Sequence, residues 1–222
     1  MSAAPPRFSI VVPHHDGSIS DGAMLRGLNS LAAQTLRDFE VLLLHDGPLT
    51  RPLPDLAKLN LPGLRFSAGA QRQNDWGHSL RDAGIRMATG DYIVHFNPDN
   101  VLYPNALEVL DAASRQPVPP APSPELAENP DILIYSILMR GMNYNGRGPI
   151  WRSRDPNKAL LYTGMPPSYG LIDCMQLVAR RSVWLEIGGW HDRSETSDAA
   201  IYSRLVGERG ARYVVAVLGE HW

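Results

Sequence analysis

Three carboxylates stand just past short apolar runs, and these are the places where the chain could do chemistry. Asp16 follows Phe8 to Val12 through Pro13-His14-His15, Asp46 follows Phe39 to Leu44 through His45, and Asp99 follows Tyr92 to Phe96 through Asn97-Pro98. Each run is dense in β-branched, aromatic and leucine residues, the composition of a strand buried on both faces. Each stops at residues that cannot continue a central strand, because proline has no N–H to donate and Asn, Asp and Gly favour turns. If the three strands are parallel neighbours, their acids crowd the sheet edge at which open α/β folds bind ligands. Like charges gathered there are costly unless a cation, a base N–H or sugar hydroxyls meet them. Asp99 with Asn97 and Asn100 is an all-oxygen set that suits Mg2+ or Mn2+ carrying a diphosphate; the plainer reading of the same residues is a polar turn.

The elements that must position these acids alternate between strand and helix. A helix over Met24 to Gln34, capped by Asp21, separates the first two strands. A short strand at Leu64 to Ser67 and a helix over Ser79 to Ala88 lead into the third acid-bearing strand. Further on, Ala106 to Ala113, Arg181 to Ile187 and Ser197 to Val206 have helical spacing, whereas Ile132 to Met139, Cys174 to Ala179 and Tyr213 to Leu218 read as strands. Such alternation predicts a single α/β domain over residues 1–222, with a mostly parallel central sheet flanked by helices. The proline-rich stretch from Gln116 to Pro130 divides a half of about 1–115 from one of about 131–222. Gly141 to Pro167 carries no clear period.

Several function classes are excluded by what is missing. The chain has 222 residues with 21 Lys+Arg against 23 Asp+Glu, so no polybasic field invites nucleic acid or an anionic membrane. Its one cysteine, Cys174, cannot form an internal disulfide or a Cys-rich zinc site, and it reads as a small core residue. Residues 1–7 lack the apolar stretch of a signal peptide and no run reaches about 18 apolar residues, so no transmembrane segment and a cytoplasmic location are expected. There is no G-x-G-x-x-G after the first strand, no phosphate-binding G-x-x-x-x-G-K-[ST] loop and no G-x-S-x-G elbow.

Five pieces in register nonetheless resemble one known family. They are Phe8-Ser9-Ile10-Val11-Val12-Pro13-His14-His15-Asp16, the stretch from Leu31 through Gln34-Thr35 to Val41, His45-Asp46-Gly47, Arg81-Asp82-Ala83-Gly84-Ile85, and Ala88-Thr89-Gly90-Asp91-Tyr92-Ile93. Together they look like family 2 of the glycosyltransferases, and the similarity extends from Phe8 to about Leu218. The resemblance implies the GT-A fold, with a nucleotide-binding half (about 1–115) and an acceptor-side half (about 131–222). It implies transfer of a sugar from a nucleotide-diphosphate donor, UDP or similar, to a hydroxyl of a saccharide or other acceptor, as in polysaccharide biosynthesis. On the matching positions, Pro13, His15, Asp16 and Asp46 would hold base and ribose. Asn97-Pro98-Asp99 would stand in place of the D-x-D element that binds Mn2+ or Mg2+ and the sugar nucleotide. The first acid of that element is Asn97 here, leaving Asp99 as its only anionic ligand, so weak metal affinity is expected. Gly188-Gly189-Trp190 and the segment from Ser197 to Leu205 match the element and helix that carry the general base, which would be Asp198 in an inverting displacement. Arg81 or Arg72 would meet diphosphate charge, and His221 would be a late metal ligand.

Asp198 has a second role compatible with catalysis, as an N-cap of its helix. Asp173 could line the acceptor side, and Trp76 or Trp151 could stack on a sugar, although core packing explains either indole as well. Two rival readings remain: a catalytically silent sugar-nucleotide-binding module, suggested by Asn97 and Ser197, and a metal-dependent hydrolase, suggested by His14-His15-Asp16 and His45-Asp46. A homodimer is an admissible assembly.

Overall fold

The computed structural model describes residues 4–17, 19–118, 128–144, 149–150, 155 and 157–222. In chain order the elements are β1 (Phe8–His14), α1 (Asp21–Ala32), β2 (Phe39–His45), β3 (Arg65–Ala68), α2 (His78–Met87), β4 (Tyr92–His95), β5 (Val101–Leu102), α3 (Ala106–Arg115) and β6 (Ile132–Arg140). They continue with β7 (Asn143–Tyr144), β8 (Pro149–Ile150), β9 (Ala159–Tyr162), β10 (Leu177–Arg180), α4 (Arg181–Glu186), α5 (Ser197–Arg209) and β11 (Arg212–His221). One sheet runs β3-β2-β1-β4-β10-β6-β11-β5, with β9 added to β6, and β7 pairs β8 separately.

Continuous apolar runs form the centre of that sheet because both of its faces are covered. In β1, Ile10 and Val12 point to a core shared with Leu28 and Leu31 of α1 and Leu107 and Leu110 of α3. Val11 points the opposite way, to Ile85 of α2, Trp184 of α4 and Tyr202 of α5. Strand alternation thus assigns successive residues to two helical layers, and each fully buried Ile, Leu or Phe contributes about 1.5–3 kcal/mol. Strands from both halves of the chain enter the one sheet, since β4 pairs directly with β10. Among the described residues no helix is long and apolar enough to cross a membrane.

The sheet is parallel where the sequence is most regular and mixed elsewhere. β1 pairs in parallel with β2 and β4, and β2 with β3. β10, however, runs antiparallel to both β4 and β6, while β6 and β11 are parallel again. The expected mostly parallel order therefore holds for residues 8–95 and gives way to alternating directions beyond. Two local expectations also change. Ser20, not Asp21, caps α1, its side chain accepting from the Ala23 amide. The run from Cys174 begins as a 3-10 turn at Cys174–Gln176, because Asp173 and Gln176 form a capping box around it, and becomes strand only at Leu177.

Candidate active site

β2 lies on one side of β1 and β4 on the other, so the loops leaving their carboxyl ends diverge and open a cleft between them. The cleft has a volume of about 640 Å3 and is lined by residues from both halves of the chain, among them Asp46, Asp99, Asp173 and Asp198.

At the β1 and β2 end, Pro13, His14, His15 and Asp46 form the wall. Asp46 is buried, and its two oxygens accept the backbone amides of Gln73 (2.7 Å) and Asn74 (3.0 Å). These bonds hold a contorted loop in which Asn74 and Trp76 have positive φ values of 55° and 56°. Such backbone is unusual outside glycine, so the Asp46 anchors offset a real local cost. The loop presents Trp76, 64% exposed, to the cleft, and Arg72 stands 3.8 Å from Asp46. Asp16 does not line the cleft. One of its oxygens accepts from the amide (2.7 Å) and hydroxyl (2.8 Å) of Thr50, and the other faces His45. Burial pushes the Asp16 carboxyl up, but the Thr50 donors and His45 outweigh it and hold the carboxyl down to about 2.

Beneath the cleft floor runs the buried guanidinium of Arg81. It donates to Asn97 Oδ1 (2.7 Å), the Trp76 carbonyl (2.8 Å) and Cys174 Sγ (3.4 Å). Asn97 is thus a neutral acceptor for Arg81, and Asn100 is buried with its amide nitrogen on Met175 Sδ at 3.0 Å. Of the all-oxygen set read from the sequence, Asn97 and Asp99 line the cleft, with Asn97 Oδ1 taken by Arg81, whereas Asn100 does not line it. Burial raises the Asp99 carboxyl above its ordinary range, and His221 and Arg26 only partly counter this. His221 itself ends β11 with Nδ1 3.1 Å from Asp173 Oδ2. The turn is set in place by α1: a Cβ on Gly27 would lie 2.1 Å from the Pro98 carbonyl oxygen, so only glycine lets the helix press so closely on it.

On the far side, α5 carries Asp198 in its first turn, with Oδ1 accepting the Ala199 amide at 2.7 Å. Burial, reinforced by Asp173, raises its carboxyl to about 6, although Ala199 and Arg81 pull the other way. The helix start is seated on a stack of rings. Gly188 and Gly189 turn with φ of 87° and 83°, which brings the Trp190 amide onto Asp82 Oδ1 at 3.0 Å. Trp190 lies flat against His78 and Trp184, with ring centroids 5.6 Å away in each case, and its Nε1 donates to Ser197 Oγ at 3.0 Å. Trp190 therefore anchors Ser197, the residue before Asp198. His78, His95 and Glu195 were given no role by sequence reasoning, whereas Trp190 was read as part of the Gly188-Gly189-Trp190 corner, the available signal for this stack. Trp151 lies outside the described residues, as does part of the stretch from Gly141 to Pro167.

The family model described as "Glycosyl transferase family 2" matches residues 9–118, which contain Asp16, Asp46, Arg81, Asn97 and Asp99. Through that segment the chain belongs to glycosyl transferase family 2. No curated protein sequence matches it significantly. Among solved structures, this family 2 chain is similar to S. aureus TarS 1-349 in complex with UDP, with a TM-score of 0.64 and 16% identity over 97% of this chain and 60% of that one. It is also similar to TarS 1-349 in complex with UDP-GlcNAc, with a TM-score of 0.60 and 15% identity over 97% and 58% of the two chains. The mannosyltransferase PcManGT from Pyrobaculum calidifontis, in complex with GDP-Man and Mn2+, gives a TM-score of 0.58 and 14% identity over 99% and 57%. At these identities the likeness is one of fold, and the fold is GT-A. The chain spans about 60% of the length of TarS 1-349.

Proposed function

We propose that this chain is an inverting glycosyltransferase that moves a sugar from a nucleotide-diphosphate donor, UDP or similar, to an acceptor hydroxyl, with Asp198 as general base. The observation that carries the reading is a carboxylate raised to about 6 that shares one cleft with Asp46 and Asp99. A base with that value is mostly ionised at neutral pH yet binds a proton far better than an ordinary surface acid. Asp198 removes the proton from the acceptor oxygen as that oxygen forms a bond to the anomeric carbon. The bond from that carbon to the diphosphate oxygen breaks on the opposite face, and the nucleotide diphosphate leaves.

The remaining residues bind and orient. Pro13 and His15 flank the nucleotide base, while Asp46 contributes through the loop from Gln73 to Gly77 that it holds and through any oxygen lone pair left for a base N–H. Trp76 offers a flat face to a sugar. Arg81 supplies fixed positive charge under the developing diphosphate charge and orients Asn97, and Arg72 can reach the rim. Asp16 acts from behind the wall rather than on the donor. A half-buried carboxylate such as Asp99, held above its ordinary range, fits a divalent cation, Mn2+ or Mg2+; Asp99 would hold it together with donor oxygens, with His221 and Asp173 close behind. Bound there, the ion would neutralise diphosphate charge. The name of PcManGT's complex pairs a nucleotide sugar with Mn2+, which supports this choice of ion.

The deciding experiment is incubation with a panel of UDP- and GDP-sugars plus Mn2+, following nucleotide release with and without simple saccharide acceptors. Release that depends on donor identity and disappears in Asp198→Asn supports the reading. Tight donor binding without any turnover would instead favour a silent binding module.

A further inference from the structure

His14 and His45 are register partners at the ends of the parallel strands β1 and β2, so their side chains leave the sheet on the same face. Their rings lie 5.1 Å apart, and both residues are almost fully enclosed, at 3% and 1% exposure. Asp16 joins them from the loop after β1. One atom from each of the three residues lies within 4.8 Å of the others, and among the described residues this is the one group of three or more His, Cys, Asp or Glu side chains so placed. We propose that His14, Asp16 Oδ1 and His45 Nε2 form a site for a first-row transition-metal dication, zinc by ligand type, that ties the loops after β1 and β2 together. The inference is independent of the proposed transfer reaction and uses neither Asp99 nor His221.

The polar atoms carry the argument. His45 Nδ1 donates to the Gly47 carbonyl at 2.7 Å, which leaves Nε2 as the lone-pair nitrogen of a neutral ring. That nitrogen faces Asp16 Oδ1 at 3.2 Å, yet neither atom has a hydrogen-bond partner of good geometry. An imidazolium-carboxylate pair would account for these two atoms. It would not account for His14, whose Nδ1 and Nε2 are both buried without a partner. A cation uses all three residues at once.

The surroundings are those of a metal site. A histidine ligand typically gives its second nitrogen to a backbone carbonyl, and a carboxylate ligand is itself held by donors. His45 does the first, and Asp16 does the second through the Thr50 amide and hydroxyl on its other oxygen. Ligands about 2.0–2.1 Å from a tetrahedral zinc sit roughly 3.4 Å from one another. Asp16 and His45 already have that spacing, and His14 can close the gap by turning a ring that has no hydrogen bond to break. Two imidazoles with one carboxylate favour zinc or its neighbours over Mg2+. Arg51, whose charge acts on His14, is engaged with Asp21 at 2.5 Å. Three protein ligands leave a fourth position for water.

Tag-free protein stripped with a chelator tests the site. Expected are one equivalent of Zn2+ taken up per chain, a rise in melting temperature with Zn2+, and visible d–d absorption on Co2+ substitution. Asp99→Ala should keep all three, whereas His14→Phe and Asp16→Asn should lose the Co2+ bands and the thermal shift. If those variants fail to fold, Thr50→Val decides: loss of the hydroxyl on Asp16 should weaken zinc by about 10-fold or more. Absence of stoichiometric uptake by the wild type, or uptake equally tight in His14→Phe, Asp16→Asn or the Thr50→Val fallback, would overturn the proposal.

Discussion

Replacing Asp198 by Asn should have two opposite consequences, and together they test its role more sharply than loss of activity alone. The amide keeps the shape and can still accept from the Ala199 amide, which Asp198 Oδ1 now does at 2.7 Å, but it cannot take a proton from an acceptor hydroxyl. General-base removal costs typically 10²–10⁴-fold in rate, so transfer should fall by about that factor while the dissociation constant for the donor stays within about twofold.

Stability should move the other way. Burial holds the Asp198 carboxyl at about 6 against an ordinary 3.8. The folded state thus keeps this proton after the unfolded chain has lost it, and stability falls as pH rises from about 4 to about 6. The difference corresponds to at most ~3 kcal/mol at pH 7. Asparagine carries no charge to bury, so the variant should melt several degrees higher than the wild type at pH 7 and no higher at pH 4. In the wild type, transfer should rise about tenfold per pH unit below 6 and level off above 7. Donor turnover by isothermal calorimetry or nucleotide-release assay, paired with melting curves at the two pH values, reads all of this. Undiminished transfer in Asp198→Asn would refute the base assignment, and a variant that melts lower at pH 7 would refute the burial argument.

Asp46→Ala removes the acceptor of two backbone amides, each bond to a charged group contributing about 1.5–3 kcal/mol. It should lower the melting temperature and weaken donor binding at least tenfold, measured by titration calorimetry. Gly27→Ala places a methyl where the Pro98 carbonyl oxygen is 2.1 Å away; overpacking of this kind costs about 1–3 kcal/mol. Urea unfolding should show that loss, and donor affinity should drop with it because the displaced turn carries Asp99. Finally, Mn2+ should tighten nucleotide-sugar binding in the wild type and leave Asp99→Asn unaffected. An equal response in both proteins would remove Asp99 as the ion's ligand.

Much of the first half was legible because its strands are uninterrupted apolar runs with turn residues at fixed places. Phe8 to Val12 and Phe39 to Leu44 each fall short of the observed strand by one or two residues at the carboxyl end. The second half resisted because apolar character does not encode direction: Leu177 to Arg180 is as hydrophobic as its neighbours, yet it runs against both. Side-chain to backbone bonds were hidden in part. The spacing of Asp173 and Gln176 is a local capping signal for the 3-10 turn at Cys174–Gln176, but nothing local says that Asp46 will spend its oxygens on amides more than 25 residues ahead.

The acids that look alike in the sequence are separated by what reaches them in the fold. Asp16 is met by the amide and hydroxyl of Thr50 and by His45, which hold it down to about 2 and commit it to structure. Asp198 is half-buried, with the Ala199 amide on it and a second acid, Asp173, acting against it, and so is left at about 6, able to exchange a proton near neutral pH. Asp99 is likewise raised by burial and finds its partial relief from His221 and Arg26. A carboxylate supplied with donors becomes an anchor, whereas one denied them stays available to a proton or a cation. That division depends on Thr50 for Asp16, Asp173 for Asp198 and His221 for Asp99, each remote in the chain from the acid it acts on, and it is therefore a property of the tertiary structure rather than of any motif.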